Sequence, residues 1–133
     1  MGLQDLYAKY HDRVQFLMIY IREAHPVDGW HLGKGLPGLA LKLSGSKAAT
    51  GVYDPKTIDS RRLVASACAS ALQYDIPMLV DEMDDGVNKA YAALPTRLYL
   101  VGVDGRVAYA GGPGPFGFSP AKLGAAIERY LAG

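Results

Sequence analysis

Apolar positions along this chain change their spacing several times, and each change marks an element. Leu3, Leu6, Tyr7 and Tyr10 recur at helical spacing and predict a short amphipathic helix. No good N-cap residue stands in front of it, so its natural start is expected upstream of Met1. Arg13 to Ile21 is a nearly continuous apolar run flanked by charge, expected as a strand buried on both faces. Pro26 and Asp28-Gly29 punctuate the next stretch and make it a loop. Residues 31–56 are rich in Gly, Leu, Lys and Ser without a clear period, and are expected as an excursion from the core, a lid for example. Thr57 suits the N-cap of a helix to about Tyr74, with Val64, Cys68, Ala71 and Leu72 on one face.

Pro77 to Asp81 then predicts a short buried strand, and Gly86 to Ala92 a short helix. Thr96 to Val103 and Arg106 to Ala110 predict two strands, joined by the hairpin signal Asp104-Gly105. Gly111 to Phe118 is a tight Gly/Pro loop, and Ser119-Pro120 opens a last helix to about Leu131. Strands alternating with helices, then a hairpin and a helix, imply a three-layer α/β/α sandwich with a mixed sheet.

Composition narrows the function classes. The 133 residues suit one domain, 1–133, and half of them are apolar. Net charge is +1, so no basic field argues for nucleic acid or an anionic membrane. No apolar run reaches the roughly 18 residues of a spanning helix, and the first ten residues do not read as a secretory signal. The default expectation is a soluble, cytoplasmic protein with no nucleic-acid or membrane partner. Cys68 is the one cysteine, so this sequence has no C-x-x-C pair, intrachain disulfide or four-cysteine metal site. On the apolar face of a helix it reads as a small hydrophobe.

Three segments carry a resemblance. They are YIREAHPVDGW (Tyr20 to Trp30), PMLVDEMDDGVNKAY (Pro77 to Tyr91) and LPTRLYLVGVDGRVAYAGGPGPF (Leu94 to Phe116). In order and spacing they resemble the iodothyronine deiodinase family and its bacterial relatives, over most of the chain except roughly residues 31–56. The resemblance implies a thioredoxin-like fold and reductive removal of iodine from a phenolic ring. It implies a selenocysteine or cysteine nucleophile in a Pro-rich turn that opens the first active-site helix. It implies no resident cofactor, a small phenolic or halogenated substrate, and a thiol reductant as cosubstrate. Leu3 to Tyr10 matches the later part of that helix, so the nucleophile is expected just before Met1, and this chain is expected to be inactive for lack of it. A selenocysteine codon read as a stop, a trimmed sequence and a truncated gene would all look the same.

His25 follows the end of a predicted strand, where ligands of open α/β sheets bind. An imidazole there can donate a proton or bond a phenolic oxygen, or can simply hold the loop through backbone hydrogen bonds. The resemblance places a functional histidine at this position. It also places an acidic residue at Glu23, which can set the tautomer or charge of His25, and a tyrosine at Tyr20. Each has a plain alternative: Glu23 as a solvated carboxylate, Tyr20 as core. Arg97 matches an arginine that clamps substrate; its alternative is a salt bridge at the sheet rim, with Asp81 or Glu82 as partners. Pro95 is expected to be cis beside the active site. Trp30 packs the Asp28-Gly29 turn or stacks on a substrate ring. Arg22 departs from the acidic residue usual in the animal enzymes. Their second histidine has no counterpart in Asp54 to Asp59, which bears on thyroid hormone as substrate.

The same resemblance puts a central strand before the active-site turn. Without it, two apolar strands, Phe16 to Ile21 and Leu98 to Val101, lose a partner. Three outcomes are open: direct pairing of the two, a homodimer through exposed sheet edges, or a poorly soluble fragment. The competing functions are a non-catalytic thioredoxin-like binding module and a peroxiredoxin-like thiol antioxidant.

Overall fold

The computed structural model describes residues 2–22 and 55–133. In chain order its elements are α1 (Leu3–Tyr10), β1 (Met18–Tyr20), α2 (Ile58–Leu72), β2 (Met78–Val80), α3 (Gly86–Tyr91), β3 (Tyr99–Val101), β4 (Val107–Ala110) and α4 (Pro120–Leu131). Helices mixed with short strands make this an α/β chain, as its pattern predicts. The described residues fall into two compact units, one running to Phe16 and resuming at Ala93–Gly133, the other Leu17–Ala92. Among the described residues no helix is long and apolar enough to cross a membrane.

The first unit holds a hairpin between two helices. β3 and β4 pair antiparallel, with Leu100 opposite Tyr109 and a register shift between Leu100 and Val101. The 104–105 turn closes as expected: Gly105 takes φ +80°, which suits glycine. Leu6 and Tyr10 of α1, Leu100 of β3, and Leu123, Ala126 and Ile127 of α4 form the buried cluster. Spacings of three and four residues put each helix's apolar side chains on one stripe, and burying each Leu or Ile contributes roughly 1.5–3 kcal/mol. Ser119 accepts a hydrogen bond from Lys122 N–H and Pro120 takes the first helical position, as expected. Tyr10 Oη donates to Glu128 Oε1 at 2.8 Å, and Lys9 Nζ donates to the same oxygen at 2.9 Å. Those bonds, with that of Lys9 first, hold the Glu128 carboxyl below its ordinary value.

The second unit is built on a parallel pair, β1 with β2, in which Met18, Ile19 and Tyr20 face Met78, Leu79 and Val80. α2 packs on β2 and starts at Thr57, whose side chain accepts from Ser60 N–H at 3.2 Å. Several expectations need correction here. The strand expected over Arg13 to Ile21 is only Met18–Tyr20. Residues 11–14 continue the helix end instead, with His11 N–H bonding Tyr7 O and the N–H groups of Arg13 and Val14 bonding Tyr10 O. Neither β1 nor β2 is buried on both faces: Ile19 and its register partner Leu79 are 37% and 51% exposed. The inward stripe of α2 is Arg61 and Ala65, flanked by the partly buried Val64 and Cys68, whereas Ala71 and Leu72 are exposed. Neither Arg61 nor Ala65 is among the residues expected on the inward face. The sheets among the described residues are these two pairs, β1 with β2 and β3 with β4.

Candidate functional site

Glu23, His25 and Trp30 lie outside the described residues, as does the 31–54 part of the excursion. Tyr20, Pro95 and Arg97 lie within them. Tyr20 belongs to the second unit and Pro95 and Arg97 to the first.

Tyr20 is the last residue of β1, partly buried, at the carboxyl end of the parallel pair. Its carbonyl accepts from Asp81 N–H at 2.8 Å, the final rung between the two strands. In the sequence, Glu23 follows this strand end by three residues.

Asp81 is buried and so is Arg61. The Asp81 carboxylate accepts from the N–H groups of Glu82, Val87 and Asn88 at 2.9, 3.1 and 2.9 Å. Two of those donors open α3, whose first amides have no partner within the helix, so Asp81 caps it from a distance in sequence. Burial pushes the Asp81 carboxyl up. The three amide bonds and the nearby Arg61 charge outweigh burial and hold it below its ordinary 3.8. Arg61 Nη1 donates to the carbonyls of Asp81 and Glu82 at 3.1 and 2.7 Å, and Nη2 pairs with Asp85 Oδ1 at 3.0 Å. Within this unit Arg61 is thus an arginine set against Asp81 and Glu82. It was missed as a site residue because charge usually marks an outer helix face. The available signal was its register: Arg61, Ala65 and Cys68 follow one another at four and three residues.

In the first unit the Leu94–Pro95 peptide is cis, as expected, and so is Gly114–Pro115. Arg97 is partly buried, its Nε donates to Gly111 O at 2.9 Å, and its guanidinium lies 5.4 Å from the centre of the Tyr99 ring. The Gly/Pro loop runs alongside the segment before β3: Gly111 N–H bonds Leu98 O and Gly114 N–H bonds Thr96 O, both at 2.8 Å. A Cβ on Gly114 would stand 2.5 Å from Thr96 Cγ2, and one on Gly117 would stand 2.3 Å from the Gly112 carbonyl carbon. The loop is thus a structural clasp on the Pro95–Arg97 segment, as its glycine content without a P-loop lysine implies. Phe116 at its outer bend is fully exposed. Among the described residues no three His, Cys, Asp or Glu side chains gather to hold a metal ion.

Comparison with known proteins covers both units. The family model described as iodothyronine deiodinase matches residues 2–131. The chain is 33% identical over 135 residues to thyroxine 5-deiodinase of Sparus aurata, covering 99% of this chain and 44% of that protein. It is 33% identical over 134 residues to the thyroxine 5-deiodinase of Ovis aries, covering 97% and 39%, and 32% identical over 129 residues to that of Gallus gallus, covering 97% and 44%. The chain spans roughly two fifths of the length of these relatives.

Proposed function

This chain belongs to the iodothyronine deiodinase family, and from that membership we propose that it is the substrate-binding and proton-donating part of a reductive dehalogenase. The match over residues 2–131 is the observation that carries the reading. The proposed fold is a single thioredoxin-like domain, and the proposed location is the cytoplasm. The substrate is an iodinated phenol, with thyroxine the natural one to try because the relatives are thyroxine 5-deiodinases. The electrons come from a thiol.

The chemistry needs a thiolate or selenolate that attacks iodine while the ring carbon takes up a proton. The products are the deiodinated phenol and a sulfenyl or selenenyl iodide, which two equivalents of thiol return to the resting nucleophile, themselves joining as a disulfide as iodide leaves. Cys68 does not fit the nucleophile's role, because it sits mid-helix on α2, at the margin of its buried stripe. The nucleophile is proposed to come from sequence preceding Leu3 in the intact protein, as a selenocysteine or cysteine. His25 supplies the proton, Glu23 sets its tautomer, and Tyr20 bonds the phenolic oxygen or His25 itself. Arg97 takes the carboxylate or phenolate end, with its guanidinium already oriented by Gly111 O and Tyr99. Trp30 stacks on the ring, and Pro95, cis in the structure, has a structural part at the site.

The test compares the 133-residue chain with a version extended upstream and carrying cysteine or selenocysteine at the turn. Both are incubated with thyroxine or diiodotyrosine and dithiothreitol, and iodide is measured. Release by the extended version alone is expected. Equal release by the short chain would overturn the assignment of the nucleophile, and release by neither would overturn the dehalogenase reading.

A further inference from the structure

We propose that Arg61 is a positioning residue that sets the carboxyl end of β1 and thereby the Tyr20 side chain. The proposal rests on the dehalogenase reading in so far as Tyr20 belongs to the reacting set. Its physical basis is independent of that reading.

Arg61 is 2% exposed, and its guanidinium binds three oxygens that lie on the strand end and the turn after it. A buried arginine is costly to desolvate, and replacement by an apolar side chain of similar volume is often neutral or stabilising. Packing α2 on β2 does not by itself call for a guanidinium. The Arg61 fork achieves something an apolar residue cannot. It fixes the carbonyls of Asp81 and Glu82 at once and draws in Asp85. Asp81 is then held from every side: its N–H on Tyr20 O, its carbonyl on Arg61, its carboxylate on three amides. Tyr20 O is the far end of that chain of bonds. Asp85 contributes from φ +58°, a left-handed conformation that Asp and Asn tolerate better than most residues.

The proposal is tested by a double-mutant cycle on the full chain with Arg61→Lys, Tyr20→Phe and the pair. Lysine keeps the charge and most of the stem but loses the fork. Affinity for diiodotyrosine and the ring signals of Tyr20 in NMR spectra are measured at a temperature where circular dichroism shows every variant folded. The expected result is a loss of affinity on the order of tenfold in R61K, displaced Tyr20 ring signals, and a double variant no weaker than Y20F alone. Additive losses, or unmoved Tyr20 signals with unchanged affinity, would overturn it. Should R61K fail to fold, Asp85→Asn carries the same test: it keeps the left-handed turn and removes only the ion-pair charge, and the Tyr20 signals must still move. If the unsubstituted chain does not bind diiodotyrosine, the reading of the pocket fails, and the Tyr20 ring signals alone decide the role of Arg61.

Discussion

Arg97 Nε donates to the carbonyl of Gly111 at 2.9 Å, which ties the guanidinium to a loop fourteen residues further along the chain. One donor is committed to the backbone, and the guanidinium carbon lies 5.4 Å from the centre of the Tyr99 ring. Such pre-orientation lowers the side-chain entropy lost when an anion is bound.

If Arg97 holds the anionic end of the substrate, Arg97→Lys should weaken binding of diiodotyrosine by about 1–2 kcal/mol, roughly 5- to 30-fold. Isothermal titration would measure it. An unchanged affinity would return Arg97 to a purely structural part.

Gly114 sits against Thr96, where an added Cβ would come within 2.5 Å of Cγ2. Gly114→Ala should cost about 1–3 kcal/mol of stability. The clash is with a single methyl group, so adding Thr96→Ser, which lacks it, should recover most of that loss. Urea denaturation of the three variants checks this, and a double variant no more stable than G114A would place the strain elsewhere.

Asp81 has a folded-state pKa below 3.8. A depressed carboxyl stabilises the fold above the unfolded value and ceases to do so as pH falls through the folded one. Stability should therefore drop from about pH 4 downward. Asp81→Asn should lie about 2 kcal/mol lower at neutral pH and show a shallower acid slope. Thermal melts between neutral pH and pH 2 would read both, and parallel slopes would assign acid sensitivity to other groups.

In the extended, active protein, His25→Asn should lower turnover by roughly 10²–10⁴-fold, the usual range for loss of a general acid. The acid–base limb of the rate profile near the imidazole range should disappear with it. If Glu23 sets the tautomer or charge of His25 as proposed, Glu23→Gln should shift that limb. A rate within twofold of the parent in H25N would exclude His25 as the proton donor.

The elements with purely local signals were legible from sequence. Ser119-Pro120 opens α4 and Thr57 opens α2, because a cap is a contact between residues three apart. Asp104-Gly105 turns the hairpin because only a left-handed residue closes it. The cis peptide at Pro95 followed from the family resemblance. The strands read too long, since apolar runs say where a strand can form and not where its hydrogen-bond partner stops. Arg13 to Leu17 run without a break into the apolar stretch of β1, yet the first of them finish α1.

The order of helices and strands, the family and the residues at which to look for chemistry were all set by the linear pattern of types and spacings, since each rests on neighbours a few positions apart or on motif order. Tertiary structure alone decided that Asp81 caps α3, that Arg61 rather than an aliphatic residue fills the α2 stripe, and that the glycine loop holds Arg97. Each joins groups six to twenty-four residues apart. Their cause is the low tolerance of a folded interior for unpaired charge, which acts only once the chain has brought those groups out of water.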